Sequence, residues 1–193
     1  MGVIKTALEI ALERTEGVKS DKSGIAQYEA RQKGKKLANE YLNGDTDIKD
    51  AIKKTPAGEQ DSLKQGIFDI LSAQIQLPLS QEDAKKVEKA GKGLEEVIKS
   101  KEFPVMFSQF IRLVSQFLQE SSQYEQAIRQ QYAPKLRQKE EELSRRYGRE
   151  VRIDPAQDPE FIAFYNQHMN ALKGNYESVV LQAREEARRM FTE

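Results

Sequence analysis

The chain has 193 residues, and its 31 basic and 31 acidic side chains leave no formal net charge at neutral pH. This balance argues against the broad basic field of a dedicated duplex-binding protein and against an acidic, disordered chain. Because cysteine is absent, disulfides, thiolate zinc sites and cysteine nucleophiles are excluded. A hydrophobic fraction of 38% supports a thin core, which suits elongated helical architectures.

The sequence also lacks the targeting and membrane-spanning segments that would indicate where in the cell the protein is located. No apolar run approaches the ~20 residues needed to span a bilayer. The opening residues lack the basic and apolar regions of a secretory signal, and Glu9 and Glu13 argue against a transit peptide. We therefore expect a cytoplasmic protein that is not associated with membranes.

Helical periodicity begins near the amino end of the sequence. Residues 5–15 predict a short amphipathic helix, and Gly17 is placed to end it. Residues 23–43 predict a second helix with Ser23 as its N-cap. That helix is sparse in apolar residues, and Gly34 inside it costs about 1 kcal/mol relative to alanine.

A resemblance to a known family begins in this part of the chain. The segment KTALEIALERT is followed by Ser20-Asp21-Lys22 and by ARQKGKKLA at 30–38. Together they resemble the opening of a family of uncharacterised bacterial helical proteins that is defined only by a domain of unknown function. The resemblance covers about the first forty residues. It implies no activity, substrate, cofactor or site residue.

Two helices follow the Asn43-Gly44 stop. Asp45 or Asp47 is placed to cap a short helix whose apolar face holds Ile48 and Ile52. Thr55 then predicts the N-cap of a helix over 57–77, with Pro56 at its first position. Its buried stripe is expected to contain Leu63, Ile67, Ile70, Leu71 and Leu77.

A further helix is predicted after Pro78. Ser80, followed three residues later by Asp83, resembles a capping box. The expected core face of this helix holds Val87, Ala90, Leu94, Val97 and Ile98. Gly91 and Gly93 are expected to weaken its middle, and they do not form a phosphate-binding loop because the rest of that motif is missing.

The longest predicted helix runs from Phe103 to Tyr147. Its first part is a coiled-coil-like heptad seam that contains Phe103, Phe107, Phe110, Val114, Phe117, Ser121, Tyr124 and Ile128. The register shifts at Tyr132, and Pro134 is expected to kink the helix. The thinner second part of the seam contains Tyr132, Leu136, Leu143 and Tyr147.

The last predicted helix spans 159–191 and follows a connection of about ten residues. Its seam contains Phe161, Tyr165, His168, Leu172, Tyr176, Val179, Ala183, Ala187 and Met190. A short connection makes the two long helices antiparallel neighbours. The expected fold is therefore all-α, with a long antiparallel helical hairpin at 101–193 and shorter helices from 1–100 packed around one end as one structural unit. Apolar surface left uncovered by two helices favours a homo-oligomer, most simply a dimer.

The sequence predicts no catalytic, cofactor-binding or metal-binding residue. His168 is the single histidine, so a histidine-rich zinc site cannot be built, and a seam histidine with a hydrogen-bond partner is the better interpretation. The acidic pairs and runs at 95–96, 140–142 and 185–186 lie beside basic residues, which is typical of solvated helix faces.

One local charge bias lies between Arg129 and Arg152, where eight basic residues stand against four acidic ones. The functional interpretation is an interaction surface for an anionic partner, either an acidic protein surface or a nucleic-acid backbone. Solvated arginines that complement a helix dipole are the simpler alternative. The residues expected to form such a surface are Arg137, Arg145, Arg146, Arg149 and Arg152.

Three functional hypotheses remain open on the sequence alone. The favoured one is a non-enzymatic interaction or scaffold protein that acts through self-association or a protein partner. The alternative is a nucleic-acid-associated protein that uses the basic end of the hairpin. An enzyme with an unrecognised helical site is the third, and the sequence supplies no residues for it.

Overall fold

A computed structural model describes the backbone of residues 7–44 and 46–193, and the side chains from residue 23 onward except for residue 45. These residues form helices and no strand, which confirms an all-α protein. None of the helices in this part of the chain is both long and apolar enough to cross a membrane. The α-helices are α1 Ala7–Asn43, α2 Ile48–Lys54, α3 Gln60–Ala73, α4 Gln81–Glu95, α5 Phe103–Tyr147 and α6 Pro159–Thr192.

The chain divides into two compact units. Unit 1 comprises Met1–Ile75, Lys89–Phe103 and Ala187–Glu193, whereas unit 2 comprises Gln76–Glu88 and Pro104–Glu186. Each unit is therefore assembled from segments that are far apart in the sequence.

The first two predicted helices are a single helix, α1, so the prediction of a stop at Gly17 and a cap at Ser23 was wrong. A glycine costs a helix interior only about 1 kcal/mol, and no proline interrupts this stretch. A single unfavourable residue therefore does not end the helix. Residues 1–6, which include the start of the predicted 5–15 helix, lie outside the described residues.

The boundary between α2 and α3 also differs from the prediction. Asp47 caps α2 as expected, since its side chain accepts a hydrogen bond from the Asp50 N–H. Thr55, however, ends α2, because its N–H donates to the Ile52 carbonyl and its hydroxyl donates to the Ala51 carbonyl. Because Thr55 ends α2, it does not cap α3. Helix α3 spans Gln60–Ala73, which is shorter at both ends than the predicted 57–77.

The closest packing in unit 1 is between α1 and α3. A Cβ atom added to Gly34 would overlap the Leu63 carbonyl oxygen, and one added to Gly66 would overlap the Arg31 carbonyl oxygen. Each glycine therefore lies directly against the backbone of the other helix, which no other residue type permits without displacing that backbone. Gly34 thus makes this crossing possible despite its helix-weakening effect.

The same crossing carries an ion pair at its edge. Arg31 donates to Asp69 Oδ2 from both Nε and Nη2, at 3.0 and 2.7 Å. Desolvation raises the pKa of Asp69, but hydrogen bonds from Arg31 and Gln65 outweigh it and leave that pKa below its usual value. The pair fixes how α1 and α3 are aligned where the glycines bring them together.

Helix α4 begins as predicted and contributes to both units. Ser80 Oγ accepts a hydrogen bond from the Asp83 N–H at 3.1 Å, which confirms the predicted cap. In unit 1, Gly93 faces Leu71 and Tyr41, whose side chains a Cβ at this position would approach to 2.6 and 2.8 Å. The predicted core residues Val87, Ala90, Leu94, Val97 and Ile98 are all buried.

Helix α5 has the predicted bounds, and Gly148 ends it with a φ of 65°, a conformation that favours glycine. Pro134 lies within the helix, and the expected kink there stays a prediction. The seam prediction was wrong at Tyr124 and at Tyr147, which are 38% and 61% exposed. The buried seam residues of α5 are Phe103, Phe107, Phe110, Val114, Phe117, Ile128 and Tyr132.

Helix α6 packs with a slightly different face from the one predicted. Met169 and Val180 are buried, whereas their sequence neighbours His168 and Val179 are only half-buried. In unit 2, Ile128 and Tyr132 of α5 form a core cluster with Phe161 and Met169 of α6. In unit 1, the α6 residue Phe191 stacks on Phe68 of α3, with ring centroids 4.3 Å apart.

Candidate interaction surface at the end of α5

The connection between α5 and α6 is attached to α5 through its own backbone. Glu140 Oε1 accepts a hydrogen bond from the Ile153 N–H at 2.8 Å, and Ser144 Oγ accepts one from the Val151 N–H at 2.9 Å. Each bond joins an α5 side chain to the connection. The connection therefore has a defined path along the last turns of α5.

An ionic network fixes the start of α6 to the same part of α5. Lys139 donates to both carboxylate oxygens of Asp158, at 3.0 and 2.8 Å, and lies 3.2 Å from Glu160. Lys135 pairs with Glu160 at 2.7 Å. Asp158 also accepts the N–H groups of Glu160 and Phe161, so it caps α6 while it binds Lys139.

Asp158 is only 4% exposed, so its charge is stabilised by these partners and not by water. The hydrogen bond from Lys139 lowers the pKa of Asp158 below its usual value, with help from the two N–H groups and against the effect of burial. The same pairing raises the pKa of Lys139 well above its usual range. Both groups therefore remain charged throughout the neutral range.

The predicted arginines surround this anchored end, and all five are exposed. Arg145 pairs with Glu141 at 3.6 Å, and Arg152 pairs with Glu150 at 3.0 Å. Exposed ion pairs of this kind contribute little to the free energy of folding. Within the described part of the chain, the remaining three have no ion-pair partner: Arg137, Arg146 and Arg149. Their charges are thus available to a binding partner.

The arginines do not all share one face. Arg137 and Arg146 are nine residues apart on α5, which is two and a half turns and places them on opposite sides of the helix. Arg145 and Arg146 belong to the last turn of α5, whereas Arg149 and Arg152 lie in the connection. The distal four form the compact part of the surface, which we call the arginine end (residues 145–152).

His168 was expected to be a seam residue, and its surroundings are aromatic. Its Nδ1 lies 3.5 Å from the Tyr124 hydroxyl, and its ring contacts Phe164 with centroids 4.4 Å apart. Among the described residues, no group of three or more metal-ligating side chains comes together.

Tyr176 and Glu120 form a strong hydrogen bond in unit 2 that the sequence did not reveal. The Tyr176 hydroxyl donates to Glu120 Oε2 at 2.5 Å. Burial and this carboxylate raise the pKa of Tyr176 to about 12. The two residues are 56 positions apart, so only a prediction of the register between α5 and α6 could have found the pair.

Unit 2 also has two adjoining surface grooves that the sequence did not reveal. The first, of about 360 Å³, lies between Leu77 and Leu79 on one side and α6 on the other. The second, of about 240 Å³, runs from Leu79 along α5 and α6. Leu79 and Lys173 line both grooves, which therefore adjoin one another. Leu77 and Leu79 flank Pro78 in a short segment between helices, and single leucines in such a segment carry no sequence signal for a groove.

A family model described as a family of unknown function (DUF6657) matches residues 49–189. This confirms the expectation of an uncharacterised family, although the matched residues do not include the first forty, on which the sequence resemblance was based. No curated protein matches the chain. No solved structure matches it.

Proposed function

We propose that this chain, which belongs to the DUF6657 family of unknown function, is a non-enzymatic interaction protein whose arginine end binds an acidic protein surface. The observation that carries the proposal is the fixed backbone beneath the arginines. Glu140 and Ser144 tie the connection to α5, and Lys139 ties α6 to the same place. A charged surface on a fixed backbone loses less conformational freedom on binding than one on a flexible loop.

The architecture behind the arginine end is, in this proposal, a long antiparallel helical hairpin of α5 and α6. Contacts in unit 2 support it, because residue numbers in α6 fall as those in α5 rise. The contacting pairs are Phe117 with Tyr176, Tyr124 with His168, Tyr132 with Phe161, and Lys139 with Asp158. The hairpin holds the arginine end at the point where the two helices are joined.

The local acids do not cancel this positive charge. Glu140 is directed to the backbone of the connection, and Asp158 and Glu160 are paired with lysines. Glu141 and Glu150 are already paired with Arg145 and Arg152. Glu142, one turn before Arg146, accepts a hydrogen bond from Gln138 and forms no ion pair with a described residue. Arg146 and Arg149 are left to attract an external carboxylate.

Three pairs that contain groups with shifted pKa values support a structural role rather than a catalytic one. Lys139 and Asp158 join α5 to α6, and Tyr176 and Glu120 join the same two helices. Asp69 joins α3 to α1 through Arg31. In each case the partner that shifts the pKa also holds two helices together.

The test uses the full chain and labelled poly-L-glutamate as an acidic polypeptide probe at ~50 mM salt. The variant Arg146→Glu/Arg149→Glu should weaken binding by about tenfold or more, because two attractions become repulsions. The matched control Lys53→Glu/Lys101→Glu changes the net charge equally at exposed lysines in unit 1 and should bind like the unmodified chain.

Equal losses in the two variants would show that net charge alone governs binding, and the absence of binding would also reject the proposal. A 20-base-pair duplex is assayed in parallel. If the duplex bound more tightly than polyglutamate and depended on the same arginines, the nucleic-acid alternative would replace an acidic protein as the partner. Thermal unfolding of each variant checks that the helices remain intact.

A further inference from the structure

One face of α6 in unit 2 combines exposed apolar side chains with the two adjoining grooves. Leu181 of α6 is 58% exposed, and Leu79, which overhangs both grooves, is 79% exposed. Val180 lies in the first groove, and Met169 lies in the second. Large apolar side chains next to concave surface of this kind are typical of a protein–protein contact.

The α6 residues of this face are arranged symmetrically about one point. When two copies of a helix pack antiparallel across a two-fold axis, positions equally far from the axis lie opposite one another. If the axis passes midway between Lys173 and Glu177, the groove-lining residues of α6 fall into pairs that are equally far from it. The related pairs are Lys173 with Glu177, Asn170 with Val180, Met169 with Leu181, and Asn166 with Arg184.

The chemistry matches in three of these four pairs, whereas Asn170 opposite Val180 places a polar side chain against an apolar one. Lys173 is half-buried and Glu177 is exposed, and among the described residues neither has an ion-pair partner, although they are one helical turn apart. Across a two-fold axis each would meet its opposite charge in the other copy. Met169 opposite Leu181 is an apolar pair, and Asn166 opposite Arg184 is a polar pair at the rim.

We propose that this face is the interface of a homodimer, in which α6 packs antiparallel against α6 of a second copy with the two-fold axis between Lys173 and Glu177. A second copy is the occupant because the surface is complementary to itself, as an isologous interface requires. Leu181 of each copy enters the groove beside Met169 and Leu79 of the other. The contact runs from Asn166 to Arg184, which is about 27 Å of helix at 1.5 Å per residue.

This interface is separate from the arginine end and does not depend on it. The residues that line the two grooves do not include any of 145–152. A dimer also presents two arginine ends, so a partner with two acidic sites binds with increased avidity.

The first test measures the molar mass of the full chain by light scattering across a concentration range up to ~100 µM. A dimer is expected, and Leu181→Asp should weaken dimerisation by about a hundredfold because it places a charge in an apolar contact. The control Val105→Asp alters an equally exposed apolar residue of unit 2 outside the grooves and should leave the mass unchanged. Arg146→Glu/Arg149→Glu should also remain dimeric, which separates this proposal from the binding function.

The decisive test exchanges the two charges. Lys173→Glu and Glu177→Lys should each weaken the homodimer by about tenfold, because each creates two like-charge contacts across the axis. An equimolar mixture of the two single variants should recover association, since every contact between unlike chains is again between opposite charges. The double variant Lys173→Glu/Glu177→Lys should also recover it.

A monomer at every concentration would overturn the proposal. So would a mixture of the single variants that associates no better than either variant alone. If Leu181→Asp failed to fold, as judged by circular dichroism, the charge exchange would still decide the matter because Lys173 and Glu177 are not core residues.

Discussion

Lys139 of α5 reaches the buried carboxylate of Asp158, and its Nζ lies 2.8 Å from Oδ2 at the point where α6 begins. This contact joins α5 to the start of α6, next to the segment that connects the two helices. Asp158 has two functions there, because the same carboxylate accepts the first free N–H groups of α6. Two substitutions separate the functions.

Asp158→Ala should destabilise the chain more than Asp158→Asn, because asparagine still caps the helix. Loss of the cap alone costs about 1 kcal/mol, and the alanine variant loses the Lys139 contact in addition. Chemical denaturation at pH 7 measures the difference. Equal destabilisation by both variants would show that Oδ1 does not act as the cap.

The Asp158 contact also predicts how stability depends on pH. Since the pKa of Asp158 is lower in the folded chain than in the unfolded chain, its contribution is complete at neutral pH. It declines as the pH falls below about 4, where the unfolded chain takes up the proton first. Denaturant midpoints between pH 2 and 7 should fall less steeply for Asp158→Asn than for the unmodified chain.

Tyr176 should titrate later than the other tyrosines because its pKa is raised to about 12. Burial also raises the pKa values of Tyr41 and Tyr165, but Tyr176 is expected to ionise last in a rapid pH-jump measurement of tyrosinate absorbance. Tyr176→Phe should remove that group and lower stability by about 1 kcal/mol through the lost bond to Glu120. An ionisation near pH 12 that persists in the variant would contradict the assignment.

Gly66→Ala should be among the most destabilising small substitutions, because the added Cβ overlaps the Arg31 carbonyl oxygen. Overpacking of this kind typically costs about 1–3 kcal/mol, and Gly34→Ala should behave alike. Gly24→Ala is the matched control, since its Cβ meets nothing within 4 Å and alanine favours the helix by up to about 1 kcal/mol. The midpoint temperature of thermal unfolding should therefore fall for Gly34→Ala and rise for Gly24→Ala.

Phe161→Ala should cost about 3–5 kcal/mol, because Phe161 is 5% exposed and packs edge-on against Tyr132. Its sequence neighbour Ile162 is 41% exposed, so Ile162→Ala should change stability by no more than about 0.5 kcal/mol. Denaturant unfolding of the two variants compares them directly. Similar losses would mean that α6 packs through a different face.

The sequence predicted helices best where local chemistry decides their ends. The bounds of α5 coincide with the prediction because Pro104 suits a helix start and Gly148 adopts a left-handed conformation. Ser80, and Asp47 as one of two candidates, were likewise proposed as caps from residue type and spacing, and both accept the expected hydrogen bonds. These features depend on neighbours within four residues, so sequence patterns describe them well.

The prediction failed where a distant segment decides the outcome. Met169 and His168 are adjacent on α6, and only the position of α5 determines which of them is buried. From the sequence alone, Gly34 predicts only a weakened helix. Its role in the close packing of α1 against α3 becomes visible only when the position of α3 is known. Thr55 could cap either α2 or α3, and residue type does not choose between them.

The candidate site also combines features that local sequence predicts with contacts that it does not predict. The arginines of the arginine end were found from local charge, because exposed residues of one sign stand close together in the sequence. The contacts that support them, from Glu140 to the Ile153 N–H and from Lys139 to Asp158, join residues 13 and 19 positions apart. Such contacts need the path of the connection, which no local pattern specifies.

The stacking of Phe191 on Phe68 has a consequence for how the chain folds as it is made. The core of unit 1 combines Phe68 of α3 with Phe191 near the end of α6, so it stays incomplete until residues 187–193 have left the ribosome. At common synthesis rates the delay between the two segments is on the order of ten seconds. During that time α3 presents Phe68 without its stacking partner, and a chaperone that shields apolar surface would find its substrate there.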